Sequence, residues 1–190
     1  ELSEGKHPFL VAAVEGLLQR TIPPETLRAC CRELKVGSVC DLNELAEGLA
    51  AAGYVRCEQV EGVGQFALRG GILDVFSPGM AQPVRAEFFG DEVDAMGVFD
   101  PATQRRTENL EAALLLPAAE VLPQLAPGGP TKLKGRLSKL AAKALQSGNK
   151  ALAQTLEQDG EAISQGRTFP ALDRYLALIY PDLATAADYL

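Results

Sequence analysis

The hydrophobic period of this chain changes to two at Gly53 and keeps that spacing as far as Pro117. Side chains of a β-strand point alternately to opposite faces, so a period of two predicts strands with one packed face and one wet face. Glycines punctuate this stretch at hairpin-like intervals, at positions 62, 64, 70, 71, 79, 90 and 97. The segment therefore favours a small antiparallel meander.

Two of the expected strands place basic and aromatic side chains together on the wet face. In QFALR, the packed side holds Phe66 and Leu68, and the wet side holds Gln65, Ala67 and Arg69. In PVRAEFFG, the packed side holds Val84, Ala86 and Phe88, and the wet side holds Arg85, Glu87 and Phe89. Arginine and aromatic residues are enriched where proteins bind each other, so this face indicates an interaction surface. The alternative is that Phe89 closes a second small core against the helices while Arg69 and Arg85 cover apolar surface with their stems.

Helices are predicted on both sides of the strand-rich segment. Pro23 and Pro24 suit a helix start at PETLRACCREL, and Asp41 with Glu44 forms a capping box before a helix that stops at Gly53. After the turn-rich segment PQLAPGGP, further helices are predicted at TKLKGRLSKLAAKAL, NKALAQTLEQDGEAISQG and PALDRYLALIY. In the first of these the apolar stripe is Leu133, Leu137, Leu140 and Ala144, and the rest is basic.

Composition argues against several classes of protein. A net charge of −7 is unlike a whole-chain nucleic-acid binder, although residues 131–150 hold no acid. No apolar run is long enough to span a bilayer and the start lacks a secretory pattern, so a cytoplasmic protein is expected. The chain begins without Met and ends at ADYL, as a piece of a longer protein would. The four cysteines, Cys30, Cys31, Cys40 and Cys57, lack zinc-site spacing, and the one histidine, His7, has no partner nearby in sequence.

Three enzyme-like patterns are weak. GVGQFA matches half of a dinucleotide fingerprint, but an alternating strand pattern follows it instead of a helix. Asp91, Glu92 and Asp94 are acids that a metal site would use, yet Gly90 and Asp91 are typical of a hairpin turn with solvated carboxylates. No GxxxxGK[ST] loop occurs. We therefore expect no catalytic residue, no cofactor and no metal ion in this chain.

Three motifs in this order, RGGILDVFSPG, PVRAEFFGDEVD and FDPATQR, resemble a module that two bacterial protein families share. The families are the excinuclease protein UvrB and the transcription-repair coupling factors (Mfd), and RGGILDVF with FDPATQR is more similar to the coupling factors. The flanks LLQRTIPPETL, LAAAGYVR, FPALDRYLALIYP and ADYL also resemble the amino-terminal region of coupling factors. The resemblance covers nearly the whole chain and is strongest between Gly53 and Pro117.

The resemblance implies a partner and the residues that bind it. In both families the module binds the excinuclease protein UvrA, and Arg69, Arg85 and Phe89 match residues that the family uses for this contact. The two arginines would offer planar forks to carboxylates of the partner, with Phe89 as the apolar anchor between them. Gly70 and Gly71 would let the backbone turn tightly and approach the partner closely. The predicted partner-binding residues are Arg69, Gly70, Arg85, Glu87 and Phe89.

The resemblance also implies what lies elsewhere in a longer parent protein. A coupling factor is an ATP-dependent DNA translocase that displaces stalled RNA polymerase, so ATP with Mg²⁺, RNA polymerase and double-stranded DNA are expected ligands of the parent. This chain is expected to recruit repair proteins and to have no enzymatic activity. Two alternatives remain: a nucleic-acid-binding fragment that uses the basic helix 131–143, or the corresponding module of UvrB.

The predicted fold class is α+β. A small antiparallel meander domain at 53–117 is inserted between 1–52 and 118–190, which resemble helical and αβ pieces of a truncated, degenerate helicase-like domain: 1–52 a partial first portion and 118–190 the returning helical portion. The resemblance implies that the chain begins after the opening strand and loop of such a domain. The flanking portions would then serve as a scaffold for the module.

Overall fold

The computed structural model describes residues 11–189 of the 190-residue chain. Two compact units are present: residues 25–120 form one, and residues 11–24 join residues 121–189 in the other. His7 lies outside the described residues. Within them, no helix combines the length and apolar character needed to cross a bilayer.

Helices and strands occur in both units, so the α+β prediction is confirmed. The helices are α1 (Val14–Leu17), α2 (Pro24–Cys30), α3 (Leu42–Ala51), α4 (Gly129–Gln146), α5 (Lys150–Ser164) and α6 (Leu176–Ile179). The strands are β1 (Arg20–Thr21), β2 (Arg32–Lys35), β3 (Val55–Arg56), β4 (Gln65–Arg69), β5 (Ile72–Val75), β6 (Val84–Phe89), β7 (Glu92–Phe99), β8 (Arg106–Asn109), β9 (Ala112–Leu115) and β10 (Ala184–Thr185).

The 25–120 unit is built on a six-stranded sheet in the order β3-β4-β5-β6-β7-β8. Strands β4 to β8 are an antiparallel meander, as predicted. The meander does not extend over the whole of 53–117, because β3 pairs with β4 in parallel and β9 leaves the sheet to pair with β2. That pairing places Leu34 opposite Ala113, and both side chains are buried.

Two boundaries differ from the sequence-based ones. The helix predicted over PETLRACCREL ends at Cys30, because Leu34 is buried on a strand that pairs with β9. Residues 25–52, which we assigned to a flanking portion, lie in the same compact unit as the sheet. Helix α3 is the reason, since Leu45 and Leu49 belong to one hydrophobic cluster with the sheet.

The core lies between α3 and one face of the sheet. Asp41 caps α3 as predicted, because its Oδ1 accepts hydrogen bonds from the backbone N–H groups of Asn43 (2.7 Å) and Glu44 (3.0 Å). The sheet contributes seven fully buried side chains to this face: Phe66, Leu73, Val75, Val84, Ala86, Val93 and Met96. Burial of a large apolar side chain stabilises a fold by about 1.5–3 kcal/mol, so this face dominates the stability of the unit.

The opposite face of the sheet is only partly wet. Ala67, which the alternation placed on the wet side, is 1% exposed. It packs in a second small cluster with Val60 and Phe99, which Cys57 and Phe76 border. All four cysteines are free and partly buried, and burial raises the pKa of each thiol. The end of this face around Ala67 and Phe99 is therefore packed as a second core, whereas the end at Phe89 is exposed and free for contacts.

The second unit contains the predicted helices α4 and α5, which pack against each other. Leu133, Leu137 and Ala144 are buried as predicted. Leu140 is 39% exposed because Ala141 takes the buried position in that turn. Asn149 caps α5, accepting a hydrogen bond from the Leu152 N–H at 3.0 Å, and β1 pairs with β10 in the same unit.

We predict that Gly97→Ala destabilises the 25–120 unit by about 1–3 kcal/mol, because overpacking a fitted site forces backbone shifts. Gly97 on β7 faces Asn109 of β8, and a Cβ at position 97 would lie 2.4 Å from the Glu108 carbonyl oxygen. The control is Gly48→Ala in α3, where a Cβ meets nothing within 4 Å. That change should stabilise by about 0.5–1 kcal/mol. Urea unfolding measures both, and a Gly97→Ala midpoint at or above wild type contradicts the expectation.

Candidate partner-binding surface

The β6–β7 hairpin sets the position of Phe89. Phe89 pairs with Glu92 across a two-residue turn in which Gly90 has φ +63°. The alternation of β6 places Phe88 on the core and Phe89 on the other side of the sheet, and the extra residue of the bulge opposite Glu87 and Phe88 is Asp94 of β7. Phe89 is 83% exposed. The alternative in which this ring closes a second core is therefore wrong.

Asp74 holds the two arginines on this face. Its side chain is fully buried, and register places it between Ala67 on β4 and Arg85 on β6. Arg69 Nη2 donates to Asp74 Oδ2 at 2.7 Å, and Arg85 donates through Nε to Oδ1 at 2.6 Å and through Nη2 to Oδ2 at 2.8 Å. The carboxylate thus accepts a bidentate fork from Arg85 and a single bond from Arg69.

Arg85 is held further by the FDPATQR segment. Its guanidinium lies 4.6 Å from the centre of the Phe99 ring, an attractive cation–π arrangement. It also donates to the backbone oxygen of Gln104 at 3.2 Å and to its Oε1 at 3.3 Å. The hydrogen bonds to Asp74 raise the pKa of Arg85, so the group stays charged. The guanidinium of Arg85 is therefore held within the chain, over Phe99 of the second small cluster.

The two arginines differ in how far their side chains are exposed to solvent. The side chain of Arg85 is 18% exposed and that of Arg69 is 49% exposed. We expected both to offer forks to a partner, but the fork of Arg85 is already bonded to Asp74. Arg69 donates one hydrogen bond to Asp74, and about half of its side chain remains exposed. Arg69 is thus able to bind an incoming carboxylate, while Arg85 fixes the site from beneath.

The remaining predicted residues lie around Phe89 and Arg69. Gly70 has φ +59°, and a Cβ there would meet nothing within 4 Å, so its outer side is open. Gly71 is required within the chain itself, because a Cβ would lie 2.8 Å from the Phe88 carbonyl oxygen. Glu87 is 45% exposed and pairs with Arg106 at 3.6 Å.

The alternation did not single out three residues of this surface. Asp74 and Ile72 share the wet side of β5, and Ile72 is 36% exposed opposite Glu87. Arg106 reaches this face from β8. The sequence did contain a signal for Asp74, which stands between the apolar residues Leu73 and Val75. A charge inside a buried strand needs a paired counter-charge, so this position indicates an ion pair on the face of the sheet.

The other candidate features are placed as follows. Strand β4, not a helix, follows Gly64 of GVGQFA. Asp91, Glu92 and Asp94 are exposed, and the part of the chain described holds no cluster suited to a metal ion. In α4, Lys134 pairs with Glu161 and Arg136 donates to the Leu178 carbonyl oxygen at 2.9 Å. Three exposed lysines of α4 form no ion pair within residues 11–189: Lys132, Lys139 and Lys143.

Comparison with known proteins gives a consistent result. Residues 33–120 match the UvrB interaction domain family. The chain is 42% identical to a transcription-repair-coupling factor of Myxococcus xanthus over 117 residues, which is 62% of this chain. It is 30% identical to that of Bacillus subtilis and 31% identical to that of Haemophilus influenzae, over 99% and 100% of this chain. The chain spans only 10% to 16% of the length of these three relatives.

We predict that Asp74→Ala destabilises the 25–120 unit by about 3–5 kcal/mol, because it leaves the buried Arg85 fork without its counter-charge. Arg69→Ala should cost no more than about 1 kcal/mol, since half of that side chain is exposed and Asp74 keeps both bonds from Arg85. Urea unfolding at constant pH measures the two free energies of unfolding. Equal losses in the two variants would contradict this division of roles.

Proposed function

We propose that this chain recruits excision repair by binding UvrA, because it belongs to the transcription-repair-coupling factor family. Residues 33–120 form the UvrB interaction domain of that family. The contact surface would be the free end of the wet face, defined by Arg69, Gly70, Glu87 and Phe89. The exposed Phe89 ring carries this proposal.

The exposure of Phe89 supports binding in two ways. A benzyl ring left 83% exposed on a paired strand gains free energy when a partner removes it from water. Because the hairpin and the Asp74 pairs fix the strands, little entropy is lost on binding. A rigid aromatic anchor on the same face of a sheet as a half-exposed arginine has the composition of an interface hot spot.

Arg69 and Arg85 would contribute differently. Arg69 would donate to a partner carboxylate from its free N–H groups, giving a charge-assisted hydrogen bond. Arg85 would act as a positioning residue that keeps β5 and β6 in register through Asp74. Loss of Arg85 would then lower affinity through loss of geometry, whereas loss of Arg69 would remove a direct contact.

Further activities would belong to a longer parent protein. ATP-driven translocation with Mg²⁺, contact with RNA polymerase and contact with double-stranded DNA are implied for the parent by family membership. We propose that this chain supplies recruitment alone and binds neither nucleotide nor metal for that purpose. A full-length protein that has lost Phe89 should then keep its ATPase activity and lose recruitment.

We predict that Phe89→Ala weakens binding to UvrA about 30-fold, the equivalent of about 2 kcal/mol for a hot-spot aromatic. Arg69→Ala should weaken it about tenfold, because it removes a charge-assisted hydrogen bond. Titration calorimetry of the purified chain against purified UvrA measures both dissociation constants.

Leu114→Ala is the matched control for these variants. Leu114 is 54% exposed in the same unit but lies on β9, in the separate two-stranded sheet. Its replacement should leave the dissociation constant within about twofold of wild type, as for most surface positions outside a hot spot. Indistinguishable heats from wild type and Phe89→Ala would refute the proposed surface.

A second candidate function uses α4. Lys132, Lys139 and Lys143 recur at spacings of seven and four residues, which places them on one side of the helix. All three are exposed. Such a row is able to contact a phosphate backbone, so α4 is the place where a nucleic acid would bind.

A salt titration distinguishes this candidate. Binding of duplex DNA through three lysines should give a plot of log affinity against log salt with a slope of about −2.7. The Lys139→Ala variant should reduce the magnitude of that slope by about a third, because it removes one of three phosphate contacts. Fluorescence anisotropy with a labelled duplex measures the slope. A slope that Lys139→Ala leaves unchanged would exclude α4 as the DNA contact.

A further inference from the structure

Phe89 is one end of an exposed row that continues beyond the hairpin. Glu92 pairs with Phe89 on one side and forms an antiparallel bridge with Val39 on the other. Directly opposed residues of antiparallel strands have their side chains on the same face. Val39 is 73% exposed, and two strand spacings separate it from Phe89 by about 10 Å.

The backbone around Val39 is fixed. On one side of Val39, the Val93 N–H donates to the Ser38 carbonyl oxygen at 2.9 Å. On the other side, the Cys40 N–H donates to the Asp91 carbonyl oxygen at 2.8 Å. An exposed valine on a backbone held at both neighbours is preorganised for contact, since its binding requires little further ordering.

Charge is distributed unevenly along this row. Arg69 lies on the side of Phe89 that is remote from Val39, beyond Gly70. Glu92 lies between Phe89 and Val39 in this row, with Asp91 and Asp94 close to it along the chain, and none of the three acids forms an ion pair with another described residue. The surface thus runs from a base to Phe89, then to the acids around Glu92, and ends at Val39.

We propose that Val39 is a second apolar contact of the surface that binds UvrA, and that the acids beside it select a basic flank on that partner. This inference rests on the proposed function and adds to it. The partner would present two apolar contacts about 10 Å apart, with a carboxylate toward Arg69 and lysine or arginine toward Asp91 and Glu92. Two anchors in place of one fix the direction in which the partner lies across the sheet.

Val39→Asp tests the apolar contact. It should weaken binding to UvrA at least about tenfold, because it places a charge where the partner buries apolar surface. Leu114→Asp is the matched control and should bind as wild type does. Circular dichroism and urea unfolding of each variant show that it is folded, and Val39→Ala, with an expected loss of about threefold, gives a milder second test.

Glu92→Lys tests the acidic flank. It should slow association several-fold at low salt, with the difference disappearing at about 1 M salt, because exposed charges act mainly on the association rate and salt screens them. Glu58→Lys, the same charge change in the loop between β3 and β4, should associate at the wild-type rate. Stopped-flow fluorescence or surface plasmon resonance measures these rates.

The outcomes separate the inference from the proposed function. If Phe89→Ala weakens binding while Val39→Asp binds as wild type, the extension to Val39 is overturned and the proposed function stands. If Phe89→Ala binds UvrA as wild type does, the proposed surface is refuted and the extension to Val39 fails with it, whereas absence of any binding by the wild-type chain refutes the proposed function itself. If Val39→Asp and Leu114→Asp weaken binding equally, the effect is not specific to the row and the inference is again overturned.

Discussion

A fully buried carboxylate between two guanidinium groups is the interaction on which the rest of this surface depends. Asp74 contacts Arg69 on β4 and Arg85 on β6, so three neighbouring strands share one ionic centre. A shift of one residue in any of them would move a charge to the apolar face and leave Asp74 unpaired. The cluster therefore specifies register, and register decides that Phe89 faces solvent.

The motifs that mark the family have mainly internal roles in this structure. Phe99 lies under the Arg85 guanidinium, and Gln104 accepts two hydrogen bonds from it. Gln104 itself has φ +59°, in the left-handed region that costs energy for a residue with a side chain. The FDPATQR segment thus acts as a clamp that keeps one arginine in place. A motif can be specific to a binding module because it builds the surface that binds.

Local sequence rules predicted much of the fold and only part of the surface. The period of two placed Val84, Ala86 and Phe88 on the core, and the capping box located the start of α3, because both depend on residues close in sequence. The pairing of β9 with β2 and the contact of Arg85 with Asp74 depend on strand register, which a period does not determine. Val39 was missed for the same reason, since only its bridge to Glu92 reveals its neighbours.

The acids beside the apolar row have a consequence for the chain by itself. Exposed apolar side chains on a rigid hairpin invite pairing between identical copies. Two copies that met through this row in a parallel arrangement would bring Asp91 and Glu92 of each copy close together, which is unfavourable. In an antiparallel arrangement Val39 would oppose Phe89, but the net charge of −7 on each chain would still repel the other copy. A partner with a basic flank gains from the same charges that a second copy must overcome, so the acids of the row favour a different protein over self-association.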